Sequence, residues 1–219
     1  MASGSTRHGI MNRMYSPAAF VETRAELLHA FMRAHPLGIL VTNGPEATHL
    51  PLYLDASGQF LRCHMARANP QWRQLESGGQ ALAIFNGPDH YVTPNWYPSK
   101  REQGKVVPTW NYVAVHVTGK AQLFEDTVSL LRHLNELTDS HEAGFAEPWS
   151  VADAPAEYVE GLTRAIVGVE ITIGRIEGKC KVNQNRSVQD QDGVIAGLDA
   201  LGSHASLEMA NLMRDRKPR

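Results

Sequence analysis

From Tyr112 to Thr118 the chain alternates without a fault. Val113, Val115 and Val117 fall on one side, and Tyr112, Ala114, His116 and Thr118 fall on the other. A period of two belongs to a strand, so the valines face a core and the second set forms a surface that can meet a ligand or a partner. A second run, Val167, Val169, Ile171 and Ile173, repeats the pattern later in the chain. The fold class expected is mainly β with helices.

The remaining segments are shorter. Thr23 to Glu26 reads as a capping box before a helical stripe of Leu27, Leu28, Phe31 and Met32, ending near His35-Pro36. Leu37 to Thr42 reads as a buried strand, and a second strand runs to Asp55 with Leu50, Leu52 and Leu54 inward and His49, Pro51 and Tyr53 outward. Pro51 cannot donate to a ladder, so that strand should be an edge or carry a bulge. Gln59 to His64 and Gln80 to Phe85 are further strands, with a short helix from the Asn69-Pro70 cap between them. Asp126 opens a helix with a Val128, Leu131, Leu134 and Leu137 stripe. Asp153 caps another at Pro155, and the chain from Arg186 onward reads as helical with a fraying RDRKPR end. Short strands, inserted helices and tight turns point to a small antiparallel barrel with helices at its rim. The division expected is a pattern-free start over 1–13, disordered or foreign to the natural protein, a barrel domain over 14–200 and a helical tail over 201–219.

Composition excludes several functions. The 21 Lys and Arg nearly balance the 23 Asp and Glu, giving a net charge of −2, so no basic face argues for duplex DNA. A local patch could still bind it. Cys63 and Cys180 lie far apart and make neither a disulfide framework nor a zinc knot, which fits a reduced cytoplasm. No apolar run reaches membrane-spanning length. The HExxH, GxSxG, Walker A and Rossmann glycine patterns are absent. The ten His never pair at i, i+4 on a convincing helix, so no metal site is expected.

Two stretches carry chemistry. Residues 86–112 hold two of the four Trp, three of the six Tyr and four of the twelve Pro. Rigid rings beside hydrogen-bonding tips suit a flat, polar-edged ligand. An aromatic loop wrapped over a core or a subunit contact satisfies the same composition. The segment His64 to Pro70, HMARANP, leaves a strand and opens a helix, so free backbone N–H groups and the Arg67 cation meet at one spot and favour phosphate. Helix starts with an Arg nearby are common, and spacing by itself does not select the ligand.

Taken together, MYSP at Met14, HMARANPQW at His64, YVTPNWYPSK at Tyr91, GKVVPTWNYVAVHVTG at Gly104 and EGKCKVNQNR at Glu177 resemble the PaiB family of FMN-binding negative transcriptional regulators, within the FMN-binding split-barrel superfamily. Asn183 departs from the Ser expected there. The resemblance implies a split β-barrel homodimer with FMN at the subunit interface. Carried onto this chain, it implies that His49, Leu50, Pro51, His64 and Met65 line the strands and that Arg67 and Asn69 hold the phosphate end. Trp96, Thr109, Trp110 and Asn111 belong to the aromatic side, the last three coming from the partner. Lys100, Gln184, Asn185 and Arg186 are weaker candidates on the substrate side, and no catalytic residue is assigned. Flavin carries its own redox chemistry, so the missing acid–base motif agrees with a flavin-dependent oxidoreductase or flavin sensor acting on a small redox substrate. A DNA-binding regulator and a haem-handling split barrel with an axial His are the other two readings.

Overall fold

The computed structural model describes residues 14–43 and 46–217, so the expectation for 1–13 lies outside the described residues. The strands are β1 Val21–Glu22, β2 Leu37–Val41, β3 Ala47–Pro51, β4 Tyr53–Leu54, β5 Phe60–Ala66, β6 Gly79–Val92, β7 Thr109–Phe124 and β8 Ile166–Lys181. The helices are α1 Ala25–Ala34, α2 Ser99–Gln103, α3 Thr127–Glu142, α4 Ala156–Arg164, α5 Val188–Leu201 and α6 His204–Arg216. The strands form one antiparallel sheet in the order β3-β2-β6-β7-β8-β5-β4, with β1 added to β8. β3 and β4 stand at the two ends of that order yet are separated in sequence by Leu52 alone. One bent segment therefore pairs β2 with its first half and β5 with its second, which curls the sheet into the split barrel. The break falls at Pro51, where the ladder loses a donor.

Alternation decides what enters the barrel. Val115, Val117, Val169 and Ile171 are fully buried with Leu40, Leu52, Leu61 and Phe85. Each such side chain contributes roughly 1.5–3 kcal/mol on leaving water. A second core sits beyond it on the same long strands, where Val92, Tyr97, Cys180 and Val182 pack under Val194 and Leu198 of α5 and Met209 and Met213 of α6. Val113 joins this second core, so the valine row serves two cores. The boundary is a bulge in β6 between Asn86 and Asp89. Pro88 lies in it, and Gly87 lies so close to Phe31 that a Cβ would sit 2.4 Å from the ring.

Three local expectations are corrected. The Thr23 box does not form. The carboxylate of Glu22, one residue earlier, accepts from the Thr23 and Arg24 backbone N–H groups, and α1 begins after Arg24 with no side-chain cap. Asp153 closes a short turn with Ser150, and Pro155 rather than Asp153 precedes α4. In α3 the buried row is Leu130, His133 and Leu137, while Val128 is 79% exposed. The helix is turned so that His133 joins Leu130 and Leu137 in the buried row, while Leu131 and Leu134 are half-buried beside it.

Candidate functional site

The candidates fall into two groups at opposite ends of β7. At the far end, Asn69 Oδ1 accepts from Gln71 N at 3.0 Å and caps a short 3-10 turn, Pro70–Leu75. Its Nδ2 donates to Thr48 Oγ1 at 3.0 Å, which ties β3 to the end of β5. Gln71, missed in the sequence, is buried and holds this corner. Its Nε2 donates to Leu40 O, Thr42 Oγ1 and Glu46 O, while its Oε1 accepts from Thr48. His49 and Pro51 stand exposed on the outer side of β3. Leu50 and Met65 turn into the core, so only their backbones remain for a ligand.

The Arg67 side chain is 40% exposed and already engaged. Its Nη1 donates to Glu125 at 2.5 Å, its Nε to Arg164 O and its Nη2 to Ile166 O, each at 3.2 Å. The backbone N–H groups of Arg67, Asn69 and Gln71 are bonded within the chain, and Pro70 has none. The HMARANP corner thus offers fewer free amides than its sequence suggests, and its chief attraction for an anion is the guanidinium that it shares with Glu125. An exposed ion pair with Glu125 is weak enough to be exchanged for a ligand oxygen.

His64 lies on the outer face of β5, half-buried beneath α3. Its Nδ1 is 3.1 Å from His133 Nε2, and its Nε2 takes no hydrogen bond among the described residues. Burial pushes its pKa below the ordinary 6.5. Phe124 lies across Gly168 and meets the His133 ring edge-on at 5.9 Å. Beside the pair, Arg62 binds Glu170 at 2.7 Å and Glu136 at 3.0 Å. Among the described residues no three or more His, Cys, Asp or Glu are grouped to hold a metal ion.

The second group stands where β7 begins. Trp110 is 53% exposed and meets the exposed Tyr91 ring at 5.9 Å. Lys181, another residue missed in the sequence, donates to Thr109 Oγ1 at 2.5 Å and to Trp110 O at 2.7 Å. Lys179 and Lys181 flank the Tyr112 ring at 5.3 and 5.9 Å, so this aromatic edge carries positive charge. Asn111 is sealed, with Nδ2 on Met213 Sδ at 3.4 Å and Oδ1 buried without a partner among the described residues. Trp96 packs on α5, where Gly193 and Gly197 make room for it. Lys100 reaches Asn95. Gln184 bonds Val182 N and Cys180 O, while Asn183 takes the left-handed φ of 65° that Asn tolerates and bonds the Tyr97 hydroxyl. Arg186 lies over the Tyr97 ring at 5.1 Å and, with Asn185, lines a cavity of about 490 Å³ with Lys105, Glu102 and Asp190.

The distance between the groups decides what one chain can do. Arg67 binds Glu125, just past the last residue of β7, while Thr109 and Trp110 are its first two. Fifteen steps of about 3.3 Å put roughly 50 Å of strand contour between them. That is longer than a mononucleotide.

Comparison with known proteins agrees with the fold. Residues 14–175 match the family described as "Putative FMN-binding domain". An uncharacterized protein of Emericella nidulans is 38% identical, covering 93% of this chain and 97% of the relative. The Bacillus subtilis protease synthase and sporulation protein PAI 2 is 34% identical, covering 93% and 98%. Among solved structures, the flavocytochrome Anf3 of Azotobacter vinelandii shares the fold with a TM-score of 0.56 at 19% identity, over 74% of this chain and 69% of that one.

Proposed function

The chain belongs to the FMN-binding domain family, and from that premise we propose that it is a flavin-dependent redox or flavin-sensing protein whose FMN sites are shared between two copies of the chain. FMN is the cofactor, and when bound it supplies hydride and one-electron chemistry without a protein acid or base. The residues present suit it. Arg67 offers an exchangeable guanidinium for the phosphate, Asn69 and Thr48 shape that corner, and His49, Pro51 and His64 offer an outer face with a free imidazole nitrogen. Trp110 and Tyr91 offer exposed aromatic faces beside Lys181.

The observation that carries the shared site is the length of β7 between Arg67 and Trp110. A second copy can supply the aromatic end that one chain cannot bring round. The same aromatic edge is the natural contact for a homodimer, and an obligate interface typically buries about 2,000 Å² or more. The name of the B. subtilis relative, a protease synthase and sporulation protein, favours a regulatory use of the bound flavin. The near-neutral charge gives no support to direct DNA binding.

Titration of FMN and riboflavin against Arg67→Ala and the parent protein tests the phosphate end. The FMN affinity should fall by about tenfold or more, the cost of losing a charge-assisted hydrogen bond, and the riboflavin affinity should barely move. Equal losses for both flavins, or none for either, would remove Arg67 from the site.

A further inference from the structure

Beneath α3 lies a buried pair that the proposed flavin site does not explain. His64 Nδ1 and His133 Nε2 are 3.1 Å apart, His133 is fully buried, and its Nδ1 has no partner among the described residues. A neutral imidazole carries one N–H and one bare nitrogen, so the contact admits two proton arrangements. If His64 donated through Nδ1, the His133 proton would sit on its own Nδ1, a buried donor with nothing to meet. If His133 donates through Nε2, its Nδ1 is a bare acceptor, and an unmet acceptor is tolerated better than an orphaned donor. A charged pair is excluded by its surroundings. Burial first, then the His64 and Arg62 charges, hold His133 down to about 3, while Glu136 and Glu170 are committed to Arg62.

We infer that His133 is a positioning residue: its Nε2–H donates to His64 Nδ1 and keeps the His64 proton on Nε2, the nitrogen left without a partner among the described residues. His64 then presents a fixed N–H donor, suited to an acceptor oxygen or nitrogen of the flavin, and it cannot take a proton through that nitrogen. This rests on the flavin site proposed above, but the proton arrangement can be read without flavin.

The test is a long-range proton–nitrogen correlation spectrum of the ¹⁵N-histidine-labelled protein at neutral pH. His64 should show a protonated Nε2 and a bare Nδ1 before any flavin is added. A proton on His64 Nδ1 overturns the inference outright. FMN is then titrated against His133→Gln, which keeps a donor, and His133→Phe, which fills the space without one. The Phe variant should bind about three- to tenfold more weakly, the worth of one hydrogen bond, and the Gln variant nearly as well as the parent. The Phe effect should vanish in a His64→Phe background. Equal affinities for Gln and Phe, or losses that simply add, would show His133 to be packing alone. If the free-protein spectrum is as expected but FMN leaves the His64 signals unmoved, the placement of flavin at this face falls while the pair stands.

Discussion

Glu22 shows how one side chain can replace a motif. It is 8% exposed and accepts from two backbone N–H groups, from Arg24 Nε at 2.9 Å and Nη2 at 2.6 Å, and from Arg216 of α6. It thereby fixes the two residues that lead into α1 and ties the C-terminal helix to β1. The Arg24 side-chain bonds, opposed by burial and helped by Arg216, hold its carboxyl well below the ordinary 4.5. A depressed carboxylate adds stability above the unfolded pKa and loses it as pH falls through the folded one. Glu22→Gln should therefore cost about 1–3 kcal/mol in urea unfolding at pH 7. The gap between the two proteins should narrow steadily below pH 4.5. A gap unchanged down to acid would mean that the charge contributes nothing there. The sequence offered Thr23 and Glu26 for this task, and a local pattern could not reveal that a neighbouring carboxylate takes the Thr23 N–H that the box would have used.

At the scale of the element, the two long strands are locked at one crossing. The β7–β8 register shifts between Thr118 and Gly119, and a Cβ on Gly119 would lie 2.1 Å from the Thr172 carbonyl. Backbone meets backbone there, so neither side can yield cheaply. Gly119→Ala should cost more than about 2 kcal/mol through strain, lowering the melting temperature by several degrees. An unchanged melt would show that the strands can part at that point. The strands themselves were legible because alternation is a local signal, and Val115, Val117, Val169 and Ile171 turned inward as their spacing requires. The helices were less legible at their faces. In α3 Leu131 and Leu134 suggest one stripe, but the sheet below offers His64, and His133 turns to meet it. Nothing in the sequence joins those two histidines, because their proximity depends on how α3 lies over β5.

For the whole molecule, the barrel core and the second core under α5 and α6 occupy successive lengths of the same strands, and the candidate site divides with them. The HMARANP corner reads in the sequence as an anion site, and in the structure Arg67 also serves to join the ends of β5, β7 and α4. The aromatic stretch was legible as a surface, yet Trp96 and Asn111 proved to pack inward while Trp110 and Tyr91 remain outside. A shared site makes a demand that no single-chain site makes. Arg67→Ala and Trp110→Ala should each weaken FMN binding by its own homodimer by about tenfold or more, leaving the sites largely empty at an FMN concentration near the parent Kd, and both side chains are exposed enough that the fold survives. When the two variants are unfolded, mixed in equal amounts and refolded together, half of the dimers are mixed, and each mixed dimer regains one intact site. FMN capacity measured by equilibrium dialysis should return to about a quarter of the parent value. A mixture that binds no more FMN than either variant by itself would contradict the shared site.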